Sequence, residues 1–546
     1  MRLRDKILLG LLSFFHPVCF SFSAALNRPE VILAGTRVVG IRNHGQNVDL
    51  FGVHDLLDDV VKGIPSNTVT EDCLTLNIFR PSETSVNYTR DKLPVLFWIF
   101  GGGWIIGSAG RYNGTGLVSR SITRGTPIIV IAANYRLGPL GFPQGEEAAD
   151  EGVISLGLRD NLVALQWVKS NIEAFGGDPT KVTIFGESAG GRSIDLLLYN
   201  EQINDLASGA ILESDGGTPI LEPALTNEAW SIFVNAVAPC SHTANTSRTF
   251  ECLRGKDVSS DLVLQGLIDA GVSFVNPKTN WGPLLDGEDG LLPDLPSQLP
   301  IKAKFPIIIG NCLDEGTLVQ SQAPTNVSSD DMIRGMIRGL SARPPGREDE
   351  VQQIIDRVLA AYPNIPSLGS PFDTGNNTFG LYDGYKRAAA VAGDYVGQSH
   401  RRFMLKRLAG RSNAQVYSYL FADHNDGVVT TPREFILGSP VPGSLGVTHA
   451  SEIFYVFGTL EAELGPENVA VTALDLSQTV MDYWISFAVN GDPNDDRGAQ
   501  RPRWEPYSPT DPMIIQLKGQ DTCMISDTFR EKETSVFNED PITLRR

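Results

Sequence analysis

Short, near-continuous apolar runs alternate along this chain with longer stretches whose apolar positions recur every three to four residues. Residues 95–100, 127–133, 182–185, 209–212, 305–309 and 416–421 are apolar segments of strand length. Runs of that kind suit strands covered on both faces. Residues 160–173 carry Leu162, Leu165, Trp167, Val168 and Ile172 at helical spacing. Strand and helix patterns in alternation predict an α/β fold with a mostly parallel central sheet and helices on both faces. Residues 31–41 and 74–79 read as further strands that add an antiparallel edge. No internal repeat, low-complexity tract or long linker divides the chain. Glycine and proline are scattered as loop punctuation. The reading is therefore one domain over residues 26–546, although 546 residues is long for a single unit.

The N-terminus changes this picture. Arg2, Arg4 and Lys6 precede a mostly apolar stretch, 7–22, and Ser23, Ala24 and Ala25 follow as small residues. That order predicts a signal peptide over residues 1–25 and export from the cell. No other segment is apolar for long enough to span a bilayer. Asn87, Asn113, Asn245, Asn326 and Asn376 each open an N-x-[ST] acceptor, which gains meaning beside a leader.

Charge and cysteines narrow the chemistry. A net charge of −19 without an acidic tail predicts a solvated acidic surface. It argues against nucleic acid and against docking on anionic lipid. Among six cysteines, Cys19 falls within the leader, and Cys240 and Cys252 are the best disulfide candidates. Cys73, Cys312 and Cys523 have no evident partners. Neither HExxH nor paired CxxC occurs, so no metal is expected.

Gly186-Glu-Ser-Ala-Gly190 matches G-x-S-x-G between the strand 182–185 and a helical stretch, 192–199. A serine on such a strand-to-helix turn is an exposed nucleophile, and the helix N-terminus favours negative charge beside it. Phe100-Gly-Gly-Gly-Trp104 follows an earlier strand, where glycines turn backbone N–H groups toward a reacting carbonyl oxygen. Ala189, next after the serine, supplies another N–H. A base and an orienting acid complete such a site. His449 and His424 both lie after the later strands, with His449 preferred. Asp314 and Glu315 both follow the strand 305–309. The order serine, acid, histidine is that of an α/β-hydrolase, and it leaves the two acids tied.

From about Leu74 onward the chain resembles the type-B carboxylesterase/lipase family, which includes the cholinesterases. The motifs that carry this are Glu71-Asp-Cys-Leu-Thr-Leu-Asn77, Trp98-Ile-Phe-Gly-Gly-Gly-Trp104, Asn134-Tyr-Arg-Leu-Gly-Pro-Leu-Gly-Phe142, the Ser188 turn, Asp314-Glu-Gly-Thr317 and His449-Ala-Ser-Glu452. The resemblance implies an α/β-hydrolase fold and a secreted serine ester hydrolase that needs no cofactor. It implies Ser188, Glu315 and His449 as the catalytic triad and Gly102, Gly103 and Ala189 as oxyanion donors. It also implies a Cys240–Cys252 disulfide. Its substrate is expected to be a small-molecule or lipid ester.

The N-terminal region departs from that family. Residues 52–72 hold neither cysteine nor aromatic residue. Family lipases carry a cysteine-closed lid there, and cholinesterases an aromatic face for a quaternary ammonium. Neither device is present, so small to medium acyl esters are the expected substrates and Cys73 is expected to lack its partner. The alternatives are a lipase for long-chain esters, or an inactive or purely binding member of the same fold.

Overall fold

The structure is a computed structural model. It describes residues 72–82, 92–271, 281–320, 327–340, 346–411, 415–424 and 441–546, together with four short strands nearer the N-terminus. Those four are β1 (Cys19–Phe20), β2 (Glu30–Leu33), β3 (Thr36–Val39) and β4 (Val69–Thr70). The central sheet follows: β5 (Leu76–Phe79), β6 (Leu93–Ile99), β7 (Ile129–Ala133), β8 (Gly177–Glu187), β9 (Gly209–Glu213), β10 (Ile307–Cys312), β11 (Val416–Phe421), β12 (Met513–Leu517) and β13 (Cys523–Ser526).

These nine strands lie in the order β13-β12-β11-β10-β9-β8-β6-β7-β5. Pairing is parallel except at the two edges, where β5 runs against β7 and β13 against β12. Every residue of β6, β7, β9, β10 and β11 is buried. Burial on both faces is what makes their sequences read as unbroken apolar runs. Trp98 of β6 anchors the core, with its ring 4.7 Å from Phe185 and 5.0 Å from Phe457. The predicted helix appears as α1 (Leu156–Asn171), four residues earlier than its apolar periodicity begins. Ser155 precedes it in a left-handed conformation.

Two expectations are corrected. The strands described within the predicted segment 31–41, β2 and β3, do not join the central sheet. β2 pairs with β3 in a separate two-stranded sheet, because only two residues separate them, the spacing of a tight hairpin. Cys73 is not without a partner, since it is disulfide-bonded. Cys240 and Cys252 form the implied disulfide, beside a second apolar cluster built on Trp230, Phe233 and Trp281. Cys312 and Cys523 are free, the first buried and the second exposed.

Of the predicted leader only β1 is described, antiparallel to β4. Asn113, Asn245 and Asn376 are exposed, whereas Asn87 and Asn326 lie outside the described residues. Among the described residues no helix is long and apolar enough to cross a membrane.

Candidate active site

Ser188 sits between the end of β8 and the start of α2 (Ala189–Leu197), with φ 55° and ψ −123°. A non-glycine residue rarely adopts that backbone, and such strain persists only where neighbours over-determine it. Here they do. The Ser188 N–H donates to the Glu213 carbonyl at 2.9 Å, and the Arg192 N–H donates to the Ser188 carbonyl at 2.8 Å. Gly190 lets α2 press onto β6, since a Cβ there would lie 1.9 Å from the Ile99 carbonyl oxygen. The residue type at 190 is therefore dictated by a backbone contact that fixes the height of the serine.

The glycine loop after β6 runs alongside. A Cβ on Gly101 would stand 2.9 Å from the Ser188 Cβ, so loop and serine are in direct contact. Gly102, Gly103 and Trp104 follow with φ of 104°, 59° and 60°. This left-handed run closes on the Gly102 carbonyl, which accepts from the N–H groups of Ile105 (3.0 Å) and Ile106 (3.1 Å). The Trp104 indole N–H donates to Ser193 Oγ at 3.0 Å, and the Ser193 hydroxyl donates to the Ala189 carbonyl at 2.7 Å. The loop is thereby tied to the first turn of α2. Ala189 opens that helix, so its own N–H has no acceptor within it.

The two adjacent acids after β10 have separate tasks. Glu315 Oε2 lies 2.5 Å from His449 Nδ1, and its Oε1 accepts from the Cys312 N–H at 2.7 Å. Asp314 is turned the other way. It accepts from the Ser370 hydroxyl (2.7 Å) and from the N–H groups of Phe372 (2.9 Å) and Val447 (3.0 Å). Asp314 thus clamps the loop that carries His449. His424 has an electrostatic contact with Asp314. Ser188, Glu315 and His449 all stand on connections beyond the carboxyl ends of parallel strands, where open α/β sheets place their ligands.

A third carboxylate reaches His449. Glu187 Oε1 lies 3.1 Å from His449 Nε2. Burial by itself pushes the imidazole down, but the charges of Glu187 and Glu315, the Glu315 hydrogen bond and Glu452 outweigh it and hold His449 up at about 9. Glu452 sits behind, accepting from the Cys312 thiol (3.0 Å), the Ser214 hydroxyl (3.1 Å) and the Tyr419 hydroxyl (3.2 Å). Burial, and then the charge of Glu315, raise the Glu452 carboxyl above its usual range. Sequence reasoning missed both Glu187 and Glu452. The signal for Glu187 was its place beside Ser188 in the G-x-S-x-G motif.

Glu187 yields a pH prediction. A histidine base works only when neutral, so raising its pKa moves the acid limb of kcat/KM toward alkaline pH. The Glu187→Gln variant removes the first of the charges that hold the imidazole up. Its acid limb is expected to move down by about one unit, which corresponds to roughly tenfold at a fixed pH on that limb. A kcat/KM profile of the variant that overlies the wild-type profile refutes this role.

The sequence profile of the carboxylesterase family matches residues 53–537. The chain belongs to the carboxylesterase family. It is 33% identical to Lipase 2 of Geotrichum candidum over 501 residues, 89% of this chain and 80% of that protein. It is 33% identical to the secreted triacylglycerol lipase LIP1 of Gibberella zeae over 503 residues, 90% of this chain and 78% of that one. The solved structure of Aspergillus niger EstA shares the fold, with a TM-score of 0.68, 23% identity and coverage of 87% and 85% of the two chains. This carboxylesterase is accordingly a carboxylic ester hydrolase of α/β-hydrolase architecture.

One group among the carboxylesterase's described residues has the composition of a cation site. Ligand atoms of Asp195, Asp215 and His400 lie within 4.8 Å of one another, all buried. A protein cation is already there. The Arg192 guanidinium contacts Asp195, lies 3.3 Å from His400 Nε2 and donates to the Thr218 carbonyl at 3.0 Å. An ion would have to share Asp195 with that positive charge, so no metal is assigned.

Proposed function

We propose that this carboxylesterase acts outside the cell through an acyl-enzyme on Ser188, with small to medium acyl esters as substrates. The observation that supports the mechanism is His449 held by Glu315 at Nδ1 and met at Nε2 by Glu187, the residue that precedes Ser188 on its strained turn. His449 Nε2 takes the hydroxyl proton as Ser188 Oγ bonds to the ester carbonyl carbon. The carbonyl π electrons move to oxygen, and the N–H groups of Gly102, Gly103 and Ala189 receive that charge. Losing one such donor typically costs about 100- to 1000-fold in rate. The tetrahedral centre collapses, the C–O bond to the alcohol breaks, and His449 returns its proton to the leaving oxygen. Water repeats the sequence on the acyl-enzyme and releases the acid. Glu315 fixes the imidazole tautomer and stabilises the imidazolium formed in each half.

Export is supported by the leader pattern, by the exposed acceptors Asn113, Asn245 and Asn376, and by relatives that are secreted lipases. The acyl-length preference rests on residues 52–72, which have no aromatic residue; the disulfide at Cys73 removes the cysteine part of that argument. A second reading, a lipase for emulsified long-chain esters, is favoured by the names of the relatives. A p-nitrophenyl ester series from acetate to palmitate, run below and above the solubility limit, separates the two. The expected result is highest kcat/KM on short to medium chains with no jump at the emulsion boundary. A sharp rise on emulsions would transfer the assignment to the lipase reading.

A further inference from the structure

We propose that Gly397, with Gly393 one turn earlier, is a positioning residue for the acid Glu315. This rests on the triad reading above. The observation is a contact between Glu315 and a helix whose side chains are missing where the acid lies. That helix comprises α3 (Tyr385–Gly393), a π-helical turn (Asp394–Gln398) and α4 (Ser399–Ala409).

A Cβ on Gly397 would stand 3.0 Å from Glu315 Cγ and 3.1 Å from Asn311 Nδ2. A Cβ on Gly393 would stand 2.8 Å from the Gly316 nitrogen and 3.4 Å from Glu315 Cβ. Neither glycine has a positive φ, so the backbone does not require glycine at either place. Space for Glu315 does. The π turn matters because its extra residue rotates the following positions relative to a regular helix, and Gly397 falls within it. The turn is fixed from the other side as well, because the Val396 carbonyl accepts from the Gly217 N–H at 2.8 Å.

Glu315 is thereby boxed in. Its carboxylate is held by the Cys312 N–H and His449, while its methylene groups lie against two glycines. A methyl group at 397 has to push either Glu315 or Asn311 by a few tenths of an ångström. Asn311 is itself fully buried on β10. The displacement falls on a His449–Glu315 hydrogen bond of 2.5 Å, which has no slack. Small misplacements of reacting groups carry large rate penalties.

The test is a double-mutant cycle of Gly397→Ala and Glu315→Ala on the full-length enzyme, read by kcat, KM and melting temperature. In the wild-type background, G397A is expected to lower kcat about tenfold or more with KM changed less than about twofold, and to move the acid limb of the pH profile. In the E315A background, which has no Cγ to displace, G397A should lower kcat no further, and only the smaller melting-temperature cost of the Asn311 contact should remain. Equal losses in both backgrounds, or wild-type kcat in G397A, overturn the proposal. If G397A alone fails to fold, a folded G397A/E315A double variant supports the contact, and a double variant that also fails to fold refutes it. The melting temperatures report on the contact without any turnover, so an enzyme that hydrolysed no ester at Ser188 would sink the triad reading and still leave this one measurable.

Discussion

Ser188→Ala is expected to lower ester hydrolysis by about a millionfold while leaving the fold and substrate affinity in place. The size follows from the way a triad acts as a unit. Removing the nucleophile alone costs nearly as much as removing all three members, and the residual rate comes from the oxyanion donors and binding. The structure makes the variant clean. Alanine keeps the Cβ that already exists at φ 55°, so the strained turn gains no new clash. The hydrogen bonds that hold the turn are made by the backbone of residue 188 with Glu213 and Arg192, and they survive the substitution. An organophosphate should label the wild-type enzyme once and the variant not at all. Hydrolysis by S188A at the wild-type rate, with an unchanged melting curve, would place the chemistry elsewhere.

The parts of this molecule that were legible in the sequence are those where one physical demand dominates. Strands β6, β7, β9, β10 and β11 are buried throughout, and so is β8 from Val182 onward, so their apolar runs mark them directly. β12 and β13 escaped notice because they close the sheet at an edge. β13 is only partly buried and β12 mixes buried with half-buried positions, which leaves no continuous run to read. The Ser188 turn was legible because G-x-S-x-G needs a strand before it and a helix after it. Asp314 and Glu315 were not separable, since adjacent residues on a loop point in different directions for reasons set by distant partners. Those partners are Ser370, Phe372 and Val447 for one acid, and Cys312 and His449 for the other. The same holds for Gly397. Its reason lies in Glu315, some eighty residues earlier, and nothing local distinguishes it from a flexible glycine.

That pair of acids supports the second large prediction. Glu315→Gln is expected to lower kcat by about 10⁴-fold with little effect on folding, a size set by the equivalent change in other triads. The Cys312 N–H faces Oε1 and demands an acceptor there. The carboxamide NH₂ is then turned toward His449 Nδ1, which must itself become the acceptor. The imidazole proton moves to Nε2, the nitrogen that has to be bare to receive the serine proton. Loss of the Glu315 charge also removes one of the groups that hold His449 up at about 9, so the acid limb of the residual activity should move to lower pH. Asp314→Asn is expected to do the opposite. Both Asp314 oxygens already accept hydrogen bonds, and an amide NH₂ must oppose either the Val447 N–H or the Ser370 and Phe372 donors. Leaving a buried donor unmatched costs about 1–3 kcal/mol, read as a lower melting temperature, while kcat per titrated active site stays near wild type. The two variants measured side by side decide the assignment. If D314N loses turnover and E315Q keeps it, the roles given to the two carboxylates are reversed.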